Sequence, residues 1–173
     1  MGLSYHPNFG INITPSLPPG TKVGFNISPF PLFVLGLNIP VAISTATADS
    51  SNPEFDKTLI SSASVMAHLD TGATITSIDI KLAEYLKLIS TGSKDSLTAG
   101  GKITMPTYAI DLYFPNTTLS PFINLPIGSC NLNFDINKSI NDPQNFAILL
   151  GRDVLSRWNI VWNGPTSTVL IND

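Results

Sequence analysis

Short runs of β-branched and aromatic residues, separated by clusters of Gly, Pro, Asn and Ser, make up most of the chain after residue 31. Such runs are typical of β-strands, and the clusters between them are typical of turns and loops. We therefore expect strands over 32–43 and 59–69. The small, polar residues of 44–53 predict a loop between these two strands.

Two hairpins are predicted further along the chain. Residues 97–114 contain an Ala-Gly-Gly triplet, and paired glycines supply the positive φ angles that a tight hairpin turn requires. Near the end of the chain, 158–162 is expected to pair with 167–171. The stretch 115–146 predicts connections around one short strand.

One window, 80–88, has the apolar spacing of an amphipathic helix. Asp79 or Ser77 precedes it, where a side chain can accept a hydrogen bond from the first helical turn. The predicted apolar face consists of Leu82, Tyr85 and Leu86. Many short strands, one clear helix, no repeat and no alternation of strands with helices together predict a mostly-β domain.

The length of 173 residues suits one domain, or one domain with an appended segment, and not two full-sized domains. Residues 1–31 hold six of the fourteen prolines, so we expect an irregular N-terminal arm or a removable pro-segment there. The globular domain is expected to span 32–173.

Composition excludes several classes of function. A net charge of -3 without a basic patch disfavours binding to nucleic acid. One cysteine cannot form a disulfide within the chain, and one cysteine with two histidines supplies too few ligands for a typical structural zinc site. The sequence has neither an apolar run long enough to span a membrane nor a leader at its start, so a cytoplasmic location is favoured. Charged residues make up only 12%, which favours an apolar surface that a partner covers.

Two apolar strands end in short polar motifs. The first runs through Leu69 into Asp70-Thr71-Gly72-Ala73, and the second runs through Leu150 into Gly151-Arg152-Asp153. A hairpin with the triplet Ala99-Gly100-Gly101 lies between them. In this order the three features resemble the retropepsin family, the retroviral-type aspartic proteases and their cellular and bacterial relatives. The resemblance extends over about 32–173.

This resemblance implies a fold, an activity and a set of site residues. The fold would be a closed or partly open β-barrel with one or two short helices. Asp70 would be the catalytic aspartate, with Thr71 holding the two active-site loops together and Gly72 allowing close approach. Ala73 would contact substrate together with the flap residues Ala99, Gly100 and Gly101. Gly151, Arg152 and Asp153 would support the loop from behind, and no metal or cofactor is implied.

The chemistry of such a site requires two carboxylates. They hold a water between them and share one proton, so that one acts as general base while the other donates to the carbonyl oxygen of the substrate. The chain has only one Asp-Thr-Gly. The second Asp70 must come from another copy, which predicts a homodimer that cleaves a peptide or protein substrate.

Three features leave alternatives open. Viral relatives carry an Asp where this chain has Thr74, so Arg152 needs another partner, for which Asp153 and Asp79 are candidates. His68 shares a strand face with Asp70, where it either tunes the site or packs structurally. The whole chain is alternatively a dimer that binds peptide or protein without cleaving it, or a zymogen blocked by 1–31.

Overall fold

The computed structural model describes residues 36–46, 62–98, 101–139, 142, 144–163 and 168–173. The Pro-rich segment 1–31 and the Ala99-Gly100 turn lie outside the described residues. The described part is mostly β, with nine strands and two short helices.

The strands in chain order are β1 (Asn38–Thr45), β2 (Ser62–Leu69), β3 (Ser77–Asp79), β4 (Gly92–Thr98), β5 (Gly101–Tyr113), β6 (Phe122–Cys130), β7 (Phe146–Leu150), β8 (Asn159–Asn163) and β9 (Thr168–Asn172). The helices are α1 (Ile80–Tyr85) and α2 (Arg152–Leu155).

Six of the strands close into a barrel. Their order around it is β1-β2-β7-β3-β6-β5, and β5 pairs again with β1 to complete the ring. Because the barrel is closed, each of these strands has a pairing partner on both sides, and this pairing protects its backbone hydrogen bonds from water. Most neighbouring strands run antiparallel, but β2 with β7 and β3 with β6 run parallel.

Alternation along β2 defines the inside of the barrel. Val65, Ala67 and Leu69 belong to the buried apolar core, whereas Met66 and His68 lie on the opposite face of the same strand. The same core receives fully buried side chains from the other strands, chiefly Ile39, Ile43, Ile78, Ile110, Leu112, Ile127, Ile148 and Leu150. The core therefore fixes which face of β2 points away from the barrel interior.

Helix α1 begins as predicted but ends earlier. Asp79 caps it by accepting a hydrogen bond from the backbone N–H of Lys81 at 2.9 Å. The helix ends before Lys87, whose φ of 54° leaves the helical region. Leu82 and Leu86 are buried as expected, but Tyr85 is 63% exposed and Ala83 takes the inner position instead.

Asp79 also holds the loop after β6. Its carboxylate is fully buried and accepts hydrogen bonds from the backbone N–H groups of Leu132, at 2.7 Å, and Phe134, at 3.3 Å. A buried carboxylate needs such partners, because desolvation is otherwise unfavourable. Asp79 is therefore a structural residue and not the partner of Arg152.

Two hairpins extend from the barrel. Strand β4 pairs only with β5, in a register that places Thr98 opposite Gly101. An ion pair between Lys102 and Asp95, 2.7 Å apart, joins the two exposed strands of this hairpin. Together with the hydrogen bond from the Thr104 hydroxyl it lowers the pKa of Asp95. Strands β8 and β9 form a separate two-stranded sheet.

Several predicted boundaries move by a few residues. The first strand continues through Ser44 and Thr45, because both positions pair with β5, so the predicted loop begins later. The hairpin predicted over 97–114 begins at Gly92 and not at 97. The last hairpin is shifted by one residue, with Trp162 opposite Val169. Hydrogen bonds across strands decide these positions, and local composition does not reveal them.

We expect Asp79→Ala to lower the free energy of unfolding by about 3 kcal/mol, because three backbone N–H groups lose a buried charged acceptor. Urea denaturation followed by circular dichroism measures this change. The control is Asp95→Ala on the exposed hairpin, which should unfold close to the wild-type midpoint. Equal midpoints for the two variants would contradict the structural role of Asp79.

Candidate active site

Asp70 lies where β2 and β7 end side by side. The two strands are parallel, with Leu69 opposite Leu150, so their carboxyl ends meet at one end of the barrel. The backbone N–H of Asp70 donates to the carbonyl oxygen of Leu150 at 3.0 Å, which continues the strand pairing by one bond. Parallel pairing thus brings the two sequence motifs together in space.

The Asp70 carboxylate organises its own loop. Its Oδ1 accepts a hydrogen bond from the backbone N–H of Gly72 at 2.7 Å. The backbone N–H of Ala73 donates to the carbonyl oxygen of Asp70 at 3.2 Å. Thr71 and Gly72 are exposed and Asp70 is half-buried. Among the described residues the other carboxylate oxygen, Oδ2, has no hydrogen-bond partner, so it is available to a water or a substrate.

Arg152 holds this loop from behind, and its partners differ from those expected. Its guanidinium donates to the carbonyl oxygens of Thr71, at 2.8 Å, and Gly72, at 3.3 Å. It also donates to the hydroxyl of Thr74 at 2.9 Å. Neither Asp153 nor Asp79 is its partner. The guanidinium can serve three neutral acceptors at once because its donors are fixed in one plane, so Thr74 at this position does not leave the arginine unpaired.

Asp153 binds the far end of the loop. Its carboxylate accepts from the backbone N–H of Thr76 at 2.9 Å and from the Thr76 hydroxyl at 2.8 Å. The Thr76 hydroxyl oxygen in turn accepts from the backbone N–H of Gly151 at 3.1 Å. Gly151 occupies the N-cap of α2, and Asp153 lies in the first turn of this helix.

Gly151 allows the two motifs to touch. A Cβ at this position would lie 2.5 Å from the carbonyl carbon of Ile75 and 2.8 Å from the backbone nitrogen of Thr76. Both contacts are with backbone, which cannot move aside without opening the loop. The backbone N–H of Arg152 also donates to the carbonyl oxygen of Ala73 at 3.0 Å. Gly151, Arg152 and Asp153 therefore all contact the segment 71–76.

His68 is packed beside the loop on the face of β2 that lies outside the core. Its Nδ1 is 2.7 Å from Oδ1 of Asn38, and its ring stacks on Phe146 with 5.0 Å between ring centroids. Gly36, at φ 73°, passes under the ring, where a Cβ would lie 2.8 Å from Cε1. Burial lowers the pKa of His68, and the nearby charge of Asp70 partly offsets this shift.

Two side chains that build the site carry no signal in the sequence. Thr76 bridges the two motifs, and its partner Asp153 is 77 positions away. Asn38 fixes His68 from 30 positions away. Neither residue belongs to a local motif, so neither was predicted. The bridging role of Thr76 becomes visible only when the barrel places β7 beside β2.

The residues predicted to form a flap, Ala99, Gly100 and Gly101, are described only in part. Gly101 is the first residue of β5 and has φ 110°, in the region that favours glycine. Its neighbours Ala99 and Gly100 lie outside the described residues, so the structure places the arms of this hairpin and not its tip.

The described residues contain no group of three or more His, Cys, Asp or Glu side chains that could hold a metal ion. No described helix is both long enough and apolar enough to cross a bilayer. Cys130 is half-buried, and burial together with the nearby Asp79 raises the pKa of its thiol.

The family model described as "Aspartyl protease" matches residues 57–154, which is more than half of the 173 residues. The chain therefore belongs to the aspartyl protease family, and the family predicted from the sequence is confirmed. The match includes both motifs, Asp70-Thr71-Gly72 and Gly151-Arg152-Asp153. No curated protein matches the chain.

Solved structures with a similar chain include a retropepsin-like aspartic protease from Rickettsia conorii, at 19% identity and TM-score 0.40, with 64% of this chain and 81% of that chain covered. A second is the retroviral protease-like domain of Ddi1 from Leishmania major, at 13% identity and TM-score 0.41. The match covers 79% of this chain and 88% of that chain. A third is a protein of unknown function from Legionella pneumophila, at 15% identity and TM-score 0.30. The match covers 54% of this chain and 75% of that chain.

We expect Gly151→Ala to destabilise the protein by about 2–3 kcal/mol, because the added methyl group meets backbone atoms of Ile75 and Thr76. Urea denaturation measures the loss. The control is Ser156→Ala, an exposed substitution just after the same helix, which should change stability little. A Gly151→Ala protein as stable as wild type would disprove the close approach.

Proposed function

We propose that this protein is an aspartic endopeptidase that works as a homodimer, with one Asp70 from each copy. The observation that carries the proposal is the Asp70 loop itself. An Asp-Thr-Gly loop stands half-exposed at one end of the barrel, held by Arg152 and Asp153, in a chain of the aspartyl protease family.

The geometry of the loop suits the chemistry. The N–H of Gly72 binds Oδ1 of Asp70 and orients the carboxylate, which leaves Oδ2 for a water molecule. With a second Asp70 nearby, the pair holds one proton, because two negative charges so close together are unfavourable. The ionised carboxylate takes a proton from the water as the oxygen attacks the peptide carbon. The protonated carboxyl donates to the carbonyl oxygen.

Two features of the chain support a dimer. The sequence has one Asp-Thr-Gly where the chemistry needs two. The β8–β9 sheet exposes Val161 and Trp162, by 51% and 58%, and within the described residues β9 has a strand partner on one edge only. We infer that this sheet joins its counterpart in the second copy, while Thr71 holds the two Asp70 loops together across the axis.

The β4–β5 hairpin is the proposed flap. It pairs with the barrel only through β5, and it ends at Gly101, beside the proposed tip residues Ala99 and Gly100. An extended peptide would bind beneath two such hairpins as an added strand, with Ala73 lining its path. Closure of the hairpins would exclude bulk water from the reaction.

Asp70→Asn should lower peptide hydrolysis by at least about 10³-fold, because the amide cannot act as a general base. Cleavage of a peptide library, read by mass spectrometry from about pH 4 to 8, measures this. The control is Glu84→Gln, which removes an exposed carboxylate on α1, outside the proposed site, and should cleave like wild type. Equal cleavage by the Asp70→Asn protein would refute the proposal.

Mixed dimers test whether the site is shared. After subunit exchange, an equal mixture of wild type and Asp70→Asn should retain about a quarter of the activity of the same total amount of wild type, because only wild-type pairs carry two Asp70 residues. A site complete within one chain would retain about half. Light scattering of the same mixture checks that dimers are present.

A folded dimer that binds library peptides without producing fragments would favour the second candidate, a peptide-binding module. In that case Asp70→Asn should leave binding unchanged. If a chain that begins near residue 32 gained activity over the full chain, the zymogen interpretation of 1–31 would be supported.

A further inference from the structure

We propose that His68 is a positioning residue that sets the acid limit of activity at Asp70, through the positive charge its ring acquires at low pH. This inference rests on the proposed aspartic-protease function. It follows from where the ring is fixed and from which of its nitrogens is free to titrate.

Strand geometry places His68 next to Asp70. Side chains two positions apart on a strand point to the same face, about 7 Å apart. On β2 that face is the one opposite the core side chains Val65, Ala67 and Leu69. Strand β2 ends at Leu69, but the N–H of Asp70 continues the pairing with Leu150. We therefore infer that the carboxylate of Asp70 points to the same side as the ring of His68, away from the core.

Three contacts keep the ring of His68 in place. The Asn38 side chain binds Nδ1 at 2.7 Å, Phe146 stacks on one face, and Gly36 lies close to Cε1. Each comes from a different segment: Asn38 from β1, Phe146 from β7 and Gly36 from the residues before β1. A ring held on three sides cannot swing away when it becomes charged.

The contact with Asn38 also fixes the tautomer. A carboxamide oxygen only accepts hydrogen bonds, so Nδ1 of His68 carries a proton in both charge states. Protonation and deprotonation therefore occur at Nε2. This is the arrangement in which a histidine gains a charge without losing its existing hydrogen bond.

Within the described residues, the side chains in contact with this ring carry no charge. The neighbours from β1 and β7, Asn38 and Phe146, are uncharged, and Gly36 has no side chain. Burial lowers the pKa of His68, and among the described residues the charge of Asp70 opposes this shift by raising it. Coupling between two such groups is reciprocal: the carboxylate favours the imidazolium, and the imidazolium favours the carboxylate.

The positive charge of His68 would extend activity to lower pH. An aspartic pair is inactive once both carboxyls are protonated. A cation beside Asp70 opposes the second proton, so it extends activity to lower pH. Above the pKa of His68 the ring is neutral and the effect is lost. His68 would thus act in the acid range and be silent at neutral pH.

We expect His68→Gln to move the acid limb of the pH profile of kcat/KM upward by about one pH unit, since the cation is lost. The control is His6→Gln, the same substitution at the other histidine of the chain, which should leave the profile unchanged. An unmoved acid limb in an active His68→Gln enzyme would overturn the inference and leave the proposed function intact.

A second measurement does not depend on activity. The chain has two histidines, so an NMR titration gives two imidazole signals, and His68→Gln assigns them. The pKa of His68 should fall in Asp70→Asn, which removes the favourable charge, and stay at the wild-type value in Asp95→Asn. It should rise in Asn38→Asp, which places a carboxylate at Nδ1. An identical His68 titration in wild type and Asp70→Asn would overturn the coupling.

Discussion

The parallel pairing of β2 with β7 is the interaction on which the candidate site depends. These strands are far apart in the chain, and the barrel makes them neighbours with Leu69 opposite Leu150. Their carboxyl ends then coincide, and the segments that follow them must pack against each other. Without this pairing the Asp-Thr-Gly loop would be an ordinary exposed turn.

The residues that follow β7 hold the loop that follows β2 in place. Gly151 permits backbone-to-backbone contact, Arg152 binds the loop from its carbonyl side, and Asp153 binds Thr76 at its far end. All three act on the main chain of 71–76, and Arg152 and Asp153 also bind the hydroxyls of Thr74 and Thr76. A carboxylate on such a support keeps its orientation when charge develops nearby, which is what pre-organised catalysis requires.

The two faces of β2 separate the apolar core from the charged groups of the candidate site. The side chains of β2 that point into the barrel are apolar, whereas His68 lies on the opposite face and Asp70 is half-buried beyond the end of the strand. The site therefore needs no buried unpaired charge. Asp79, which is fully buried, meets this requirement differently, by accepting three backbone hydrogen bonds that fix α1 and the loop after β6.

Local sequence alone determined the mostly-β class, the start of α1 at Ile80 and the two motifs around Asp70 and Gly151, because alternation, capping and glycine placement are short-range properties. It left Asp79 and Ser77 as alternative caps, between which the structure decided for Asp79. The family also followed from these motifs. The partners of Arg152, the bridge through Thr76 and the exposure of Tyr85 were decided only by the tertiary structure. Each depends on contacts between segments distant in sequence, which form once the barrel closes and its register is fixed.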